Sequence, residues 1–297
     1  MALSADSVLE AVSAAFRRTG RTLFQPFDLG KWFVLGFCAW LAGLGDVGPG
    51  PNFRFNVGGP DIGHDLPAVG QWIAEHGRAI ALVTALVVLA FLAFTLVILW
   101  ISSRGKFMFL DGVVHNRGAV VEPWRRYWQP GNRLFGFRVL YSLVVLLALA
   151  IVVAACVGLA WGDIARQTLG PASVAAFMLG LVSVAGIAVA TMIVSALLDD
   201  FVVPVMYLRD ARVLAAWGIV WRELVREYPG PVLLFYLMRI ALAIAVGVIA
   251  IAATCLTCCL ATLPYIGTVI LLPLLVFMRC YSLCFIEQCG PEWRVFA

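Results

Sequence analysis

The chain has 297 residues, of which 63% are hydrophobic and 13% charged, and its mean hydropathy is +0.97. A soluble domain is about 50% apolar and about 25% charged, so this composition excludes an ordinary soluble protein and predicts one that crosses a membrane several times. The net charge of +4 does not indicate nucleic-acid binding, because the basic residues lie in short segments between apolar stretches, where membrane topology accounts for them.

The long apolar stretches predict α-helices. About 20 residues of helix cross the ~30 Å hydrocarbon layer, where the backbone has to satisfy its own hydrogen bonds. A membrane β-barrel would alternate apolar and polar residues in segments of about ten, and no part of the sequence does so. The predicted fold class is therefore all-α, a polytopic membrane helix bundle that forms a single domain over residues 1–297.

The first elements are a surface helix, a short span and a loop. Residues 2–23 predict an amphipathic helix on the membrane surface, and an apolar stretch from Lys31 to Gly45 predicts the first span. The surface helix sets the apolar residues Val8, Val12, Ala15 and Phe16 against Glu10, Arg17, Arg18 and Arg21. Residues 46–76 are rich in Gly and Pro and predict an extracytoplasmic loop, in which Asp61, His64 and Asp65 form no specific metal-binding pattern.

Three further spans follow, from Ile80 to Ser102, Leu134 to Leu159 and Val174 to Leu198. A second surface helix is predicted after Pro123, with Trp124 and Trp128 on one face as interfacial anchors and Arg125 and Arg126 on the other. The stretch Leu198 to Met206 contains Asp199, Asp200 and Pro204, and we expect the fourth membrane helix to end there.

The last part of the chain predicts the clearest amphipathic helix and two more spans. Its apolar stripe comprises Val213, Trp217, Val220, Trp221, Leu224 and Tyr228, of which Trp217 and Trp221 are further predicted interfacial anchors. The segment after Pro231 is too long and apolar for one crossing. It predicts a fifth span from Pro231 to Cys255 and a sixth from Leu263 to Ile286, joined by a tight hairpin around Pro264.

The distribution of positive charge predicts the orientation. With six spans, all but three of the 21 lysines and arginines lie on the side of the two termini, and the exceptions are Arg54, Arg78 and Arg166. Cytoplasmic loops carry the excess of Lys and Arg, so both termini are predicted to be cytoplasmic and the protein to reside in the cell membrane.

The sequence also predicts an internal repeat. Equating Trp124 with Trp217, an offset of 93 residues, aligns EPWRRYW with AAWGIVW, each before a transmembrane hairpin. The N-terminal AAFRRTG segment begins a weaker third copy. The predicted units of surface helix plus two spans are about 1–111, 112–208 and 209–297.

These repeated AW-x-x-x-W-like surface helices and the Asp-Asp-Phe-x-x-Pro-x-Met element resemble the membrane domain attached to some glycerophosphoryl diester phosphodiesterases, and a broad group of bacterial six-helix membrane proteins. The resemblance implies a bacterial inner membrane. In those phosphodiesterases the catalytic residues lie in a separate soluble barrel, which has no counterpart here, so the resemblance implies no hydrolase activity and transfers no catalytic residue.

Four charged residues near the cytoplasmic ends of the spans form the candidate site: Asp199, Asp200, Arg239 and Arg279. Ionisable groups at membrane depth are costly and usually face a bundle interior or a cavity. We therefore expect an ionic cluster that could bind a lipid head group or a small anion. The alternative is that the two acids end a helix while both arginines reach outward to lipid phosphates.

No pattern of catalytic residues, Walker loop or dinucleotide fingerprint is present, so the chain is predicted to be non-enzymatic and to need no cofactor or metal. The eight cysteines, Cys255-x-x-Cys258-Cys259 among them, are best interpreted as small apolar residues. The leading interpretation is a scaffold or accessory subunit that binds membrane lipids or other membrane proteins. The alternative is a transporter or lipid-handling protein with a pocket at the cytoplasmic side.

Overall fold

A computed structural model of the chain describes residues 5–25, 27–46, 66–166, 170–257 and 263–296. These residues form α-helices and shorter helical turns, with no strand among them. The helices are α1 (Ala5–Phe24), α2 (Leu29–Gly43), α3 (Leu66–Val114), α4 (Val121–Arg126), α5 (Trp128–Ala165), α6 (Pro171–Leu197), α7 (Val203–Arg209), α8 (Val213–Ile219), α9 (Pro229–Leu256), α10 (Pro264–Ile270) and α11 (Leu272–Glu287). The all-α prediction is confirmed for this part of the chain.

Four helical segments in the described residues are long and apolar enough to cross a membrane. They are Ala81–Val114, Trp128–Asp163, Pro171–Arg209 and Pro229–Leu256. Their most apolar stretches face outward: none of that stretch is buried in the first two segments, and only 6% and 11% are buried in the other two. Within α3 every residue from 81 to 97 is exposed.

The buried part of the molecule lies at one end of these helices. Nearly all side chains in residues 102–113, 198–206 and 280–286 are buried, and we call this region the base. The first three segments have 34, 36 and 39 residues, whereas a crossing needs about 20, so each is long enough to supply both an exposed apolar stretch and part of the base. The residues of the base belong to one hydrophobic core.

The segment predicted as the first span is a 15-residue helix, about 22 Å long, that packs antiparallel to the C-terminal part of α3. Glycine permits this contact, since a Cβ atom on Gly105 would lie 2.6 Å from the backbone of Leu41 and Ala42. Helix α2 therefore covers the base portion of α3 and leaves residues 81–97 uncovered.

The predicted sixth span is divided into α10 and α11 at Leu271. Pro273 accounts for the division, because a proline ring clashes with the carbonyl four residues earlier, here that of Val269, and has no N–H to donate. The freed Val269 oxygen accepts a hydrogen bond from the indole nitrogen of Trp32 at 2.9 Å.

The prediction that a helix ends at Asp199–Asp200 is wrong. The helix continues through a π-helical turn, Leu198–Val202, into α7 and ends at Arg209. In this turn the Val203 N–H bonds to the Leu198 carbonyl, five residues back, and by the same spacing Pro204 would bond to the Asp199 carbonyl. Since proline has no N–H, the wider turn accommodates its ring and leaves the Asp199 carbonyl free.

The surface helices pack differently from the predicted amphipathic stripes. In α1, Val8 and Ala15 are buried against other elements of the base, but Phe16 is exposed. In the third surface helix Val220 and Leu224 are buried while Trp221 is exposed. There the helix changes from α8 into a π-helical segment, Val220–Val225, whose wider turns alter which residues share a face.

A candidate ionic centre in the base

The π-helical turn places two adjacent carboxylates in the base. Asp200 is almost fully buried, and the side chain of Asp199 is 26% exposed. π-Helical turns are rare and frequently occur at functional sites. The turn also aims the two acids at different partners, which come from α3, α9 and α11.

Asp200 is held by Arg239 of α9 and Ser282 of α11. Its Oδ1 accepts a hydrogen bond from Arg239 Nη1 in an ion pair and another from Ser282 Oγ at 2.8 Å. Arg239 Nη1 also lies 3.2 Å from Ser282 Oγ. The other oxygen, Oδ2, is buried and has no hydrogen-bond partner among the described residues. Asp200 thus joins three helices through one oxygen atom.

Asp199 is held by Lys106 of α3, which bridges two acids. Lys106 Nζ donates to Asp199 Oδ1 and, at 2.8 Å, to Asp46 Oδ1 just beyond α2. Arg138 of α5 donates to the same Asp46 oxygen at 2.8 Å and to the Gly45 carbonyl at 2.8 Å. This chain of ion pairs joins the ends of α2, α3, α5 and α6.

Arg279 of α11 has no carboxylate partner among the described residues. Its Nη1 donates to the free carbonyl oxygen of Asp199 at 2.6 Å, and its buried Nε has no partner there. The centre contains Asp46, Asp199 and Asp200 against Lys106, Arg138, Arg239 and Arg279. Four cations meet three carboxylates, so the centre carries one excess positive charge.

The four residues that the sequence singled out, Asp199, Asp200, Arg239 and Arg279, all lie in this centre. They form two separate contacts. Asp200 meets Arg239, and Arg279 meets the backbone of Asp199. Sequence reasoning missed Lys106, although Lys106 and Asp199 are separated by 93 residues, the offset of the predicted repeat. It also placed Lys106 on the cytoplasmic side and Asp46 at the start of the opposite loop, whereas the two side chains are in contact.

Asp46 is the acid of this centre that lies outside the four long apolar segments. Burial acts to raise the pKa of its carboxyl, but the charges of Lys106 and Arg138 outweigh that effect and hold the pKa below its usual value. The carboxylate is therefore ionised at neutral pH and available for both ion pairs.

A second polar cluster surrounds Asp111 near the end of α3 and was not predicted. Its carboxylate is completely buried and accepts hydrogen bonds from Arg117 at 3.0 Å, Tyr127 at 2.8 Å and Tyr207 at 3.3 Å. Burial, followed by the hydrogen bonds with Tyr207 and Asp111, raises the pKa of Tyr127, and the hydrogen bond to Asp111 raises that of Arg117. Both groups keep their protons at neutral pH. The cluster therefore has a structural role, in which its hydrogen bonds connect α3, α4 and α7.

The predicted tryptophan anchors have different environments. Trp124 and Trp128, with Trp100, surround the guanidinium of Arg104 at 4.9, 3.7 and 4.0 Å from the ring centres, a cation–π arrangement. Trp217 is partly buried beside Phe137, whereas Trp221 is exposed.

The cysteines and the loop residues considered as metal ligands form no site among the residues that the structure describes. Six cysteines are described, and all are free. Cys258, Cys259 and the loop residues Asp61, His64 and Asp65 lie outside the described residues. Within the described residues no group of three or more His, Cys, Asp or Glu side chains could hold a metal ion.

A protein-family model described as "Family of unknown function (DUF7544)" matches residues 7–276. The match covers most of the chain, including every member of the ionic centre except Arg279. No curated protein and no solved structure matches the chain. The resemblance to phosphodiesterase membrane domains stays a prediction.

Proposed function

The chain belongs to the family of unknown function DUF7544, and we propose that it is a non-enzymatic integral protein of the cell membrane, a scaffold or accessory subunit that binds lipid or other membrane proteins. In this proposal the base holds the helices together, and the exposed apolar stretches provide the binding surface. The ionic centre serves assembly of the base, since its groups mostly contact one another.

The outward-facing apolar helices carry this proposal. The most apolar parts of α3 and α5 are not buried at all, and those of α6 and α9 hardly are. Soluble proteins rarely expose contiguous apolar patches larger than a few hundred Å², and larger ones mark contact with membranes or other proteins. A helix in hydrocarbon satisfies its own backbone, so these surfaces are stable when lipid or a partner's membrane helix covers them.

Six crossings, both termini in the cytoplasm and a threefold repeat belong to the proposal. Helix α1 packs along α11, which supports an even number of crossings. Four segments are long enough by themselves, and four crossings also leave both termini on one side. Six crossings would require α2 and the divided α10–α11 pair to cross as well, although α2 packs against the base portion of α3. The excess of Lys and Arg on the side of the base supports its cytoplasmic orientation.

One observation favours lipid handling as a second candidate function. The ionic centre has an excess positive charge, and Arg279 has no carboxylate partner among the described residues. A lipid phosphate or another anion could accept a hydrogen bond from the unpartnered Nε of Arg279. Since that Nε is buried, a local rearrangement would have to expose it first.

Purification in a mild detergent, with mass spectrometry of the proteins and lipids that copurify, tests both candidates. The scaffold proposal predicts a discrete membrane protein at near-stoichiometric amounts, lost in a harsh detergent. The second candidate predicts an anionic lipid that the Arg279→Gln variant no longer retains. Neither a protein nor a lipid above the background of an unrelated membrane protein of similar size would contradict both.

A further inference from the structure

Each of the three surface segments exposes a pair of large apolar side chains seven residues apart. The exposed fractions are 59% and 75% for Leu9 and Phe16, 66% and 51% for Val121 and Trp128, and 75% and 57% for Leu214 and Trp221. Seven residues are about two turns of α-helix, so in a regular helix such as α1 the two side chains lie on one face. The second and third pairs are separated by the 93-residue offset, position for position.

An arginine follows the second member of each pair by five residues. These are Arg21 after Phe16, Arg133 after Trp128 and Arg226 after Trp221. In an α-helix such as α1 the fifth residue lies about 140° around the axis, on the flank of the exposed apolar face. A long arginine side chain on that flank can reach the lipid phosphates while the apolar pair lies deeper in the leaflet.

These three arginines are available for a ligand. None of their side chains forms an ion pair or a hydrogen bond with any residue that the structure describes, in contrast to the side chains of the arginines in the ionic centre. Arg21 and Arg226 are exposed, and Arg133 is half-buried. Arg133 also lies seven residues, about 10 Å along α5, before Leu140, where the exposed apolar face of that helix begins.

We propose that Arg21, Arg133 and Arg226 are three binding sites for the phosphate groups of anionic phospholipids, each adjoining the exposed apolar pair that precedes it in the sequence. The inference rests on the proposed membrane location and names the lipid class for its binding surface. Guanidinium groups bind phosphate oxygens in a bidentate geometry, and an anionic leaflet attracts basic residues at its surface.

The arrangement favours lipid over a protein partner as the occupant. The same combination of apolar pair and unpartnered arginine occurs on three different helices, and at α5 it adjoins a face that is apolar for more than 20 residues. A membrane leaflet presents phosphate groups above a continuous apolar layer, and it does so at every position along the protein surface. One protein partner would need to present the same chemistry at three separated positions.

The test is native mass spectrometry of the full chain released from nanodiscs that contain phosphatidylcholine and phosphatidylglycerol at 3:1. The wild type should retain about three phosphatidylglycerol molecules in preference to phosphatidylcholine. The triple variant Arg21→Gln, Arg133→Gln, Arg226→Gln should lose about fivefold in affinity at each site, which is about 1 kcal/mol at 1.4 kcal/mol per tenfold.

Two further variants separate position, charge and folding. The variant Arg125→Gln, Arg212→Gln, Arg294→Gln removes the same charge at other positions and should retain phosphatidylglycerol like the wild type. Replacing Arg21, Arg133 and Arg226 by Lys keeps the charge and should lose less than the Gln variant.

Equal retention by the wild type and the first Gln variant, or equal loss in both Gln variants, would overturn the inference. Loss of folding in the first Gln variant would do so too, because side chains without partners should not be needed for folding. None of these outcomes affects the proposed scaffold function, which depends on copurification of a protein.

Discussion

Replacing Arg239 by Met should lower the free energy of unfolding by about 3 to 5 kcal/mol, because it leaves the buried Asp200 carboxylate without its countercharge. Ser282 would remain as a hydrogen-bond donor, but a hydroxyl does not neutralise a charge. The measurement is thermal or denaturant unfolding in one detergent, with wild type and variant compared side by side.

Exchanging the two charges distinguishes a specific ion pair from a general loss of packing. The variant Asp200→Arg should also be strongly destabilised, and adding Arg239→Asp should restore part of the stability. Asp210→Asn is the control, since Asp210 is exposed at a left-handed position that Asn tolerates, and a change within about 0.5 kcal/mol is expected. If neither single change destabilises the protein and the exchange restores nothing, the ion pair does not hold the base together.

Replacing Lys106 by Met should also destabilise the protein, by about 2 kcal/mol, less than a fully buried pair because both of its acids are partly exposed. Lys106 is nearly buried and is the cation that contacts the carboxylates of both Asp46 and Asp199. Asp46 would keep Arg138, whereas Asp199 would lose its ion pair, because Arg279 contacts only its backbone carbonyl. The measurement is again thermal or denaturant unfolding of wild type and Lys106→Met in the same detergent.

A second substitution identifies the acid responsible. Adding Asp199→Asn to Lys106→Met should recover part of the lost stability, while adding Asp46→Asn should recover less, since that acid keeps one partner. Arg222→Met, at an exposed arginine outside the ionic centre, is the control. Unchanged stability in Lys106→Met would mean that the bridge contributes nothing, as is common for exposed ion pairs.

The sequence predicted the helical class and the four long apolar helices because both follow from local composition. It also singled out Asp199, Asp200, Arg239 and Arg279 as a candidate cluster, because ionisable residues are rare in apolar helices, while leaving open that both arginines reach outward to lipid phosphates. What composition could not supply was the pairing, which depends on how α3, α9 and α11 are arranged around the π-helical turn.

The wrong prediction at Asp199–Asp200 has a specific physical cause. A proline and two acids normally end a helix, but here a wider turn accommodates Pro204 and the base buries Asp200. Sequence periodicity assumes a constant 3.6 residues per turn, so it misplaces residues wherever a π-helical segment occurs. The exposed position of Trp221 within the segment Val220–Val225 is a second example.

Clusters such as the one around Asp111 were missed for another reason. Asp111 is one acid near a helix end, and its partners Tyr127 and Tyr207 are 16 and 96 residues away. Nothing in the local sequence distinguishes it from an exposed acid. Only the fold shows that Asp111 is completely buried.

The most direct test of the central claim is photo-crosslinking in native membranes from the outward faces of the long helices. Benzoylphenylalanine at Leu86, Leu147, Val182 or Ile244 probes α3, α5, α6 and α9, and the same group at the fully buried Leu110 is the control. The account predicts crosslinks to lipid or to a discrete membrane protein from the four outer positions, and only internal crosslinks from Leu110. The absence of lipid and protein crosslinks at all four outer positions, or the same products from Leu110, would contradict it.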